Sequence, residues 1–419
     1  MKKARQYWHI LGPGLTTGSA DDDPSGIATY SQAGSQYGFS LLWLAPLTFP
    51  LMALVQEMCA RIGLVTGRGL AGNIRAHFSR KVLIFTTILL FAANTFNLGV
   101  DLGAMAKATQ LLAPRLNFVF LVVAFTALSL VMQIFIPYKN YAKYLKWLAF
   151  VLLSYVVSAL LIRLNWHEII YASVVPTLKF SKDQIILICG ILGTTISPYL
   201  FFWQTSQEVE EEILKGETTV KMRMEATHKT EIKEMRIDVW SGMFVSNLVM
   251  FFIITACAAT LYVNGITNIN SAADAALALR PLAGEASYLL FAIGILGAGL
   301  LAVPVLAGSV SYAISETFKW REGLYWTLKQ AHAFYGVIII SMVGGLLVNF
   351  VGLDPIKALI YSAVANGIVA PVILVFIVRL SSNRKIMGEW TNRPVVTFWG
   401  WVTTGIMVVT AVATIISLF

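Results

Sequence analysis

The chain has 419 residues, 57% of them hydrophobic and only 13% charged, with a mean hydropathy of +0.71. Soluble domains carry about 25% charged residues, so this composition excludes an ordinary soluble protein. The net charge of +9 comes from basic residues scattered over short segments, which excludes a nucleic-acid footprint and suits a chain embedded in a lipid bilayer.

The start, MKKARQYWHI, is short and basic and leads straight into apolar sequence, so a cytoplasmic N-terminus is expected rather than a cleaved signal. Uncharged runs long enough for the roughly 20 residues that cross a bilayer predict eleven spans. They lie near 12-35, 40-65, 82-108, 116-136, 143-163, 184-206, 237-263, 286-315, 330-351, 355-379 and 394-418. Span 1 contains "GSADDDPSG", which places Asp21, Asp22 and Asp23 in mid-membrane. A charge there costs at least a few kcal/mol, and such residues face a cavity and carry function. Pro24 removes a backbone donor, and Ser25 and Gly26 follow it, so the helix is expected to break. The freed carbonyls and the carboxylates are hard oxygen donors, suited to a hard cation.

Span 3 carries Asn94, Asn97 and Asp101, and span 10 carries Asn366; each amide is suited to a helix–helix hydrogen bond or to the water around an ion. Span 6 contains "GTTISPYLFF", where Gly193, Thr194, Thr195, Ile196, Ser197 and Pro198 interrupt the apolar run. Interrupted segments at matching places in two halves point to a transporter site built on inverted repeats. The whole chain then reads as one transmembrane domain, 1-419. Repeat one is about 12-163, repeat two about 184-379, and an extra helix about 394-418. The mixed-charge stretch at about 207-236 reads as a solvated cytoplasmic helix or linker, or a regulatory surface.

Basic residues follow the even-numbered spans 2, 4, 8 and 10, with Arg68, Arg75, Lys139, Lys143, Lys319 and Arg384 among them; the opposite loops are poorer, with only Arg280 between spans 7 and 8 and only Lys357 between spans 9 and 10. The positive-inside rule puts the N-terminus in the cytoplasm and, after eleven crossings, the C-terminus outside. A multi-pass protein of the plasma (inner) membrane is expected. Cys59, Cys189 and Cys257 all lie in apolar runs and read as packing residues.

Several stretches resemble the NRAMP family of divalent-metal transporters. "GPGLTTGSADDDPSG" resembles the family's opening GPG and its D-P-G-N motif. "LVTGRGLA" resembles VTGRDLA, and "SNRKIMGEWTNRP" resembles SNKKIMGEFVNP. The resemblance runs in order along nearly the whole chain. It implies an all-α membrane protein of the LeuT-type fold: eleven helices in two inverted five-helix repeats plus one, with helices 1 and 6 broken at mid-membrane. It also implies a divalent cation as substrate between the breaks, with no cofactor.

The departures bear on which cation. Against D-P-G-N this chain has Asp23-Pro24-Ser25-Gly26, and against A-T-V-M-P-H it has Thr194-Thr195-Ile196-Ser197-Pro198-Tyr199. The implied metal residues are therefore Asp23, Gly26, Thr194 and Ser197; Asp22, which has no acidic counterpart in the motif, joins them through water or at the entry, with Asp21, Asn94, Asn97, Asp101, Tyr199, Gln204 and Asn366 as surrounding or pathway residues. Ser197 stands where the family has a methionine. Thioether sulfur favours softer ions, and oxygen suits magnesium. Gly26 and Ser197 in place of bulkier ligands predict a wider pocket for an ion that keeps its waters. This pattern resembles the NRAMP-related magnesium transporters. Aligned on Gly103, Asn97 and Val100 replace the family's helix 3 acids, with Asp101 one residue displaced. Tyr199 and Gln204 replace helix 6 histidines, and span 9 has no arginine, although Arg321 precedes it. Passive, potential-driven uptake of Mg2+, with Mn2+ as a further substrate, is the expectation. The alternatives are a carrier for a small organic solute or cation, with Tyr199, Phe201, Phe202 and Trp203 as aromatic wall, or a proton-coupled Mn2+/Fe2+ transporter. No nucleophile–base pair or HExxH stands out, so no enzyme is expected.

Overall fold

The computed structural model describes residues 10–136, 153–161, 164–269, 272–277, 284 and 287–418. Among these, secondary structure is helical throughout, with no strand. The helices are α1 Pro13–Asp21, α2 Pro24–Tyr37, α3 Leu44–Thr66, α4 Leu70–His77, α5 Arg80–Leu112, α6 Phe118–Phe135, α7 Leu153–Leu161 and α8 Trp166–Val174. They continue as α9 Lys182–Thr195, α10 Pro198–Leu214, α11 Val220–Ala226, α12 Lys229–Cys257, α13 Ala272–Ala276, α14 Ser287–Phe318, α15 His332–Val348, α16 Pro355–Ser381, α17 Arg384–Met387 and α18 Pro394–Leu418.

Among the described residues, eight helices or helix pairs are long and apolar enough to cross a membrane. They account for spans 2, 3, 4, 6, 7, 8, 10 and 11. Span 1, whose break leaves α1 and α2 of 9 and 14 residues, is not among them: unlike span 6, which is also broken, it carries three aspartates in its middle. Span 9, α15, has 17 residues. The first half of span 5 lies outside the described residues, and α7 supplies the rest.

Small residues bring the broken helices into backbone contact with their neighbours. Gly14 and Gly18 of α1 pack on Val239 and Gly242 of α12, and a Cβ at any of the three glycines would collide with the opposing backbone. Gly193 of α9 meets the Ala363 carbonyl and Gly367 of α16 in the same way. Close approach through small residues is how helices associate where the solvent itself is apolar. The carboxylate of Asp238 on α12 accepts hydrogen bonds from Gly12 N (2.8 Å), Gly14 N (2.6 Å) and Leu15 N (3.1 Å). It therefore caps the free amides and the positive dipole end of α1.

The start of the stretch expected to be solvated is folded into the bundle, while much of the rest, from Leu214 to Arg236, is exposed. α10 continues through it to Leu214, and Glu208, Glu210 and Glu212 are buried. Glu210 accepts from the Tyr312 hydroxyl and from Leu324 N, and Glu208 from Gln204 Nε2 at 2.7 Å. These donors compensate the desolvation that the charge pattern alone predicted would keep the acids in water.

Candidate functional site

The two breaks are built on one local pattern. α1 ends at Asp21, Asp22 turns with φ −85° and ψ 51°, Asp23 is extended, and Pro24 opens α2. α9 ends at Thr195, Ile196 turns with φ −122° and ψ 61°, Ser197 is extended, and Pro198 opens α10. A residue before proline is driven out of the helical region, and proline is well placed as a first helical residue because its missing N–H would be unpaired there. The expected interruptions are thus two-residue hinges between half-helices.

Asp23 is committed to hydrogen bonds. Its Oδ1 accepts from Ser25 Oγ and Gly26 N, both at 2.7 Å, and its Oδ2 from Asn97 Nδ2 at 2.9 Å. Asn97 is itself held by the Ser362 hydroxyl at 2.7 Å. Asp21 accepts from Ser246 Oγ at 2.7 Å through one oxygen, and its other oxygen has no partner. Both oxygens of Asp22 and both of Asp101 are buried and unpartnered. All four acids are at most 1% exposed. The ion pairs found among the described residues involve none of them. Nor does any group of three or more His, Cys, Asp or Glu side chains converge as a ready metal cage among those residues; consecutive acids point in different directions from one chain.

Hydroxyls complete the gap. Tyr30 and Thr194 share a hydrogen bond of 2.8 Å, and the Tyr199 hydroxyl donates to the Ala20 carbonyl at 2.8 Å. Ser197 Oγ turns back to the Gly193 and Thr194 carbonyls at 2.6 and 2.7 Å. Gly26 is closely packed, and a Cβ there would lie 3.2 Å from the Asp21 carbonyl and 3.4 Å from Asp23 Oδ1.

The structure brings Asp21, Asp22, Asp23, Gly26, Asn97, Asp101, Thr194, Ser197 and Tyr199 to the two breaks. Asn366, with both amide atoms unpartnered, adjoins the Gly367–Gly193 contact. Two candidates lie elsewhere: Asn94 donates to Ser309 Oγ at 2.8 Å on α14, and Gln204 faces Glu208. Arg321 stacks over the Trp326 ring at 4.9 Å, away from the acids. Sequence reasoning missed Tyr30, Ser246 and Ser362. Tyr30 alone carried a signal, one helical turn beyond Gly26 on the same face.

At one end of the bundle a cavity of about 530 Å³ is lined by Arg75, Glu210, Arg223, Glu316, Glu322 and Tyr325 among others. Burial, with Glu316 nearby, pushes the Glu322 carboxyl up to about 9.

A family model described as natural resistance-associated macrophage protein-like matches residues 14–417. The chain belongs to the Nramp family. Two curated relatives of this Nramp protein are each called divalent metal cation transporter MntH. The one from Deinococcus radiodurans is 30% identical over 409 residues, covering 95% of this chain and 87% of the relative. The one from Klebsiella pneumoniae is 27% identical over 408 residues, covering 95% and 92%. Among solved structures, the Eremococcus coleocola manganese transporter superposes with a TM-score of 0.78 at 18% identity, covering 99% of this chain and 86% of that one. Mhp1, a nucleobase-cation-symport-1 family transporter, gives 0.54 at 16% identity, covering 97% and 91%. The Nramp chain therefore has the expected LeuT-type fold and is a multi-pass membrane protein.

Proposed function

We propose that this Nramp protein is a membrane transporter for divalent metal cations, with Mg2+ the main substrate and Mn2+ also carried. The ion binds at the breaks and crosses by alternating access without proton coupling. The observation that carries this reading is four buried carboxylates, Asp21, Asp22, Asp23 and Asp101, without an ion-pair partner at two helix breaks. An uncompensated cluster of this kind is strongly disfavoured in a membrane interior, and a divalent cation supplies the missing charge. The C-terminal ends of α1 and α9, the negative ends of their dipoles, each lead into one of the two breaks.

The donors point to a hard ion. Every polar group at the breaks is oxygen or amide, and Ser197 offers a hydroxyl. Asp22 and Asp101 have free oxygens to take the ion or its waters, whereas Asp23, bonded three times, positions the start of α2 and takes the ion by exchanging one of those bonds. Mg2+ usually keeps several waters and binds through one or two carboxylates, which suits this arrangement. The relatives' names support a divalent cation in general, and the manganese named for the Eremococcus coleocola transporter is the competing choice.

The aromatic wall needed for an organic cation is used up in packing. Phe201, Phe202 and Trp203 are buried, and Trp203 meets the Tyr312 ring edge-on at 6.3 Å. We place the protein in the plasma (inner) membrane with its N-terminus cytoplasmic and C-terminus outside, from the distribution of Lys and Arg. Competitive uptake of Mg2+, Mn2+ and small organic cations into proteoliposomes tests the reading. Uptake of Mg2+ that Mn2+ inhibits and organic cations do not is expected; Mn2+ uptake that excess Mg2+ leaves untouched overturns the magnesium assignment.

A further inference from the structure

The two breaks are tied to each other by a reciprocal pair of tyrosines. Ala20 stands four residues before Pro24, and Thr194 stands four residues before Pro198. Tyr199, from the half-helix after the second break, donates to the Ala20 carbonyl before the first. Tyr30, from the half-helix after the first break, bonds the Thr194 hydroxyl before the second. Both bonds are 2.8 Å and both rings are at most 1% exposed. Each tie joins different elements, Tyr30 linking α2 to α9 and Tyr199 linking α10 to α1, so together they hold all four half-helices around the acids. Tyr199 stands in the electrostatic field of Asp21, Asp23 and Asp101, and Tyr30 in that of Asp21, Asp22 and Asp23. The ties are therefore at the site itself.

We propose that Tyr30 and Tyr199 are specificity-determining residues, which withhold the Ala20 carbonyl and the Thr194 hydroxyl from the bound ion. The inference rests on the reading of a divalent ion at the breaks. A carbonyl already accepting a short hydrogen bond, in a gap held at fixed width, is a poor direct ligand. The ion fills those positions with water, and the site favours an ion that gives up its waters reluctantly, as Mg2+ does. Removing a hydroxyl frees one oxygen and loosens one tie, which favours an ion more willing to shed water and bind directly.

The test is Mg2+ and Mn2+ competition in proteoliposomes containing the full chain, with Tyr199→Phe and Tyr30→Phe. Both keep the ring and remove only the hydroxyl. The Mn2+/Mg2+ ratio of Vmax/KM should rise about fivefold in each, the scale of one buried hydrogen bond, mainly through KM. Adding Thr194→Val to Tyr30→Phe should cancel that rise, because the freed hydroxyl is gone; loosened packing alone would not be cancelled. An unchanged ratio in Tyr199→Phe and Tyr30→Phe, with Asp23→Ala inactive, overturns the tyrosine role and leaves the ion site standing. Full transport in Asp23→Ala and in Asp22→Asn overturns the ion site, and the tyrosine role with it.

Discussion

The two breaks share a backbone pattern and differ in what fills the position before proline. At the first it is Asp23, whose carboxylate reaches forward to Gly26 N and caps α2. At the second it is Ser197, whose hydroxyl reaches backward to the Gly193 and Thr194 carbonyls and leaves α10 uncapped by any side chain. The first break thus gathers negative charge, with Asp21 and Asp22 beside it, while the second offers only neutral oxygens. The comparison teaches that one proline-centred hinge serves two chemical purposes. On the proposed reading, the carboxylates supply charge compensation for a cation, and the hydroxyl break supplies selectivity among cations.

The largest effect should come from removing the charge side of that contrast. Asp23→Ala should abolish divalent uptake in proteoliposomes and cost about 1 kcal/mol of stability through loss of the α2 cap. It also strips Asn97 of its acceptor. Asp22→Asn should lose most transport with little change in melting temperature in detergent, because no protein hydrogen bond ends on Asp22. Normal uptake in Asp22→Asn together with a dead Asp23→Ala would assign the charge role to Asp23 alone.

On the proposed reading, selectivity belongs to the other side. Ser197→Met with Gly26→Asn should move preference from Mg2+ toward Mn2+ by adding a soft sulfur and an amide donor. A ligand exchange of about 1.4 kcal/mol is a tenfold change in the competition ratio. Gly26 has little room, since a Cβ there sits 3.2 Å from the Asp21 carbonyl. The single Ser197→Met should therefore carry most of the shift, and an unchanged ratio in it would separate selectivity from this position.

Much of this site was legible in the sequence because proline and buried charge are strong local signals. Pro24 and Pro198 marked both hinges, and the acids marked the first as the charged one. The cross-ties were not legible: nothing local to Tyr199 says that its hydroxyl ends on Ala20, 179 residues away. Likewise, Glu210 read as part of a solvated run because its donors, Tyr312 and Leu324, come from distant chain. The wider pocket expected from Gly26 is filled here by the Asp21 carbonyl and the Tyr30 ring, since a missing side chain lets neighbours close in.

A smaller effect should appear at the far end of α1, where three amides converge on Asp238. If α1 swings to open the site to the proposed cytoplasmic side, this cap must break. Asp238→Ala should remove about 1–2 kcal/mol of closure, a factor of roughly 5–30 in the open population. A cysteine placed at Ser19 should then react faster by that factor with an impermeant thiol reagent from that side. The native cysteines are buried and give little background. An unchanged rate would mean that the cap travels with α1 instead of holding it.

The smallest expected effect is on protons, where the two breaks are again unequal. Near the first, Asp101 is buried with both oxygens unpartnered and Asn97 serves Asp23. Beyond the second, Tyr199 is tied to Ala20 and Gln204 donates to Glu208. A relay needs titratable groups in sequence; from the breaks along α10 the chain offers a tyrosine and an amide before the first carboxylate. Ion movement should therefore follow the membrane potential alone. An inside-negative potential supplies about 2.3 kcal/mol per charge per 100 mV, doubled for a divalent ion. Proteoliposomes under such a potential should take up Mg2+ without acidification reported by a lumenal dye, and a pH gradient alone should drive no uptake. Acidification that tracks uptake and vanishes in Asp101→Asn would show that the displaced carboxylate carries a proton, and acidification that vanishes in Glu208→Gln would place the relay on α10.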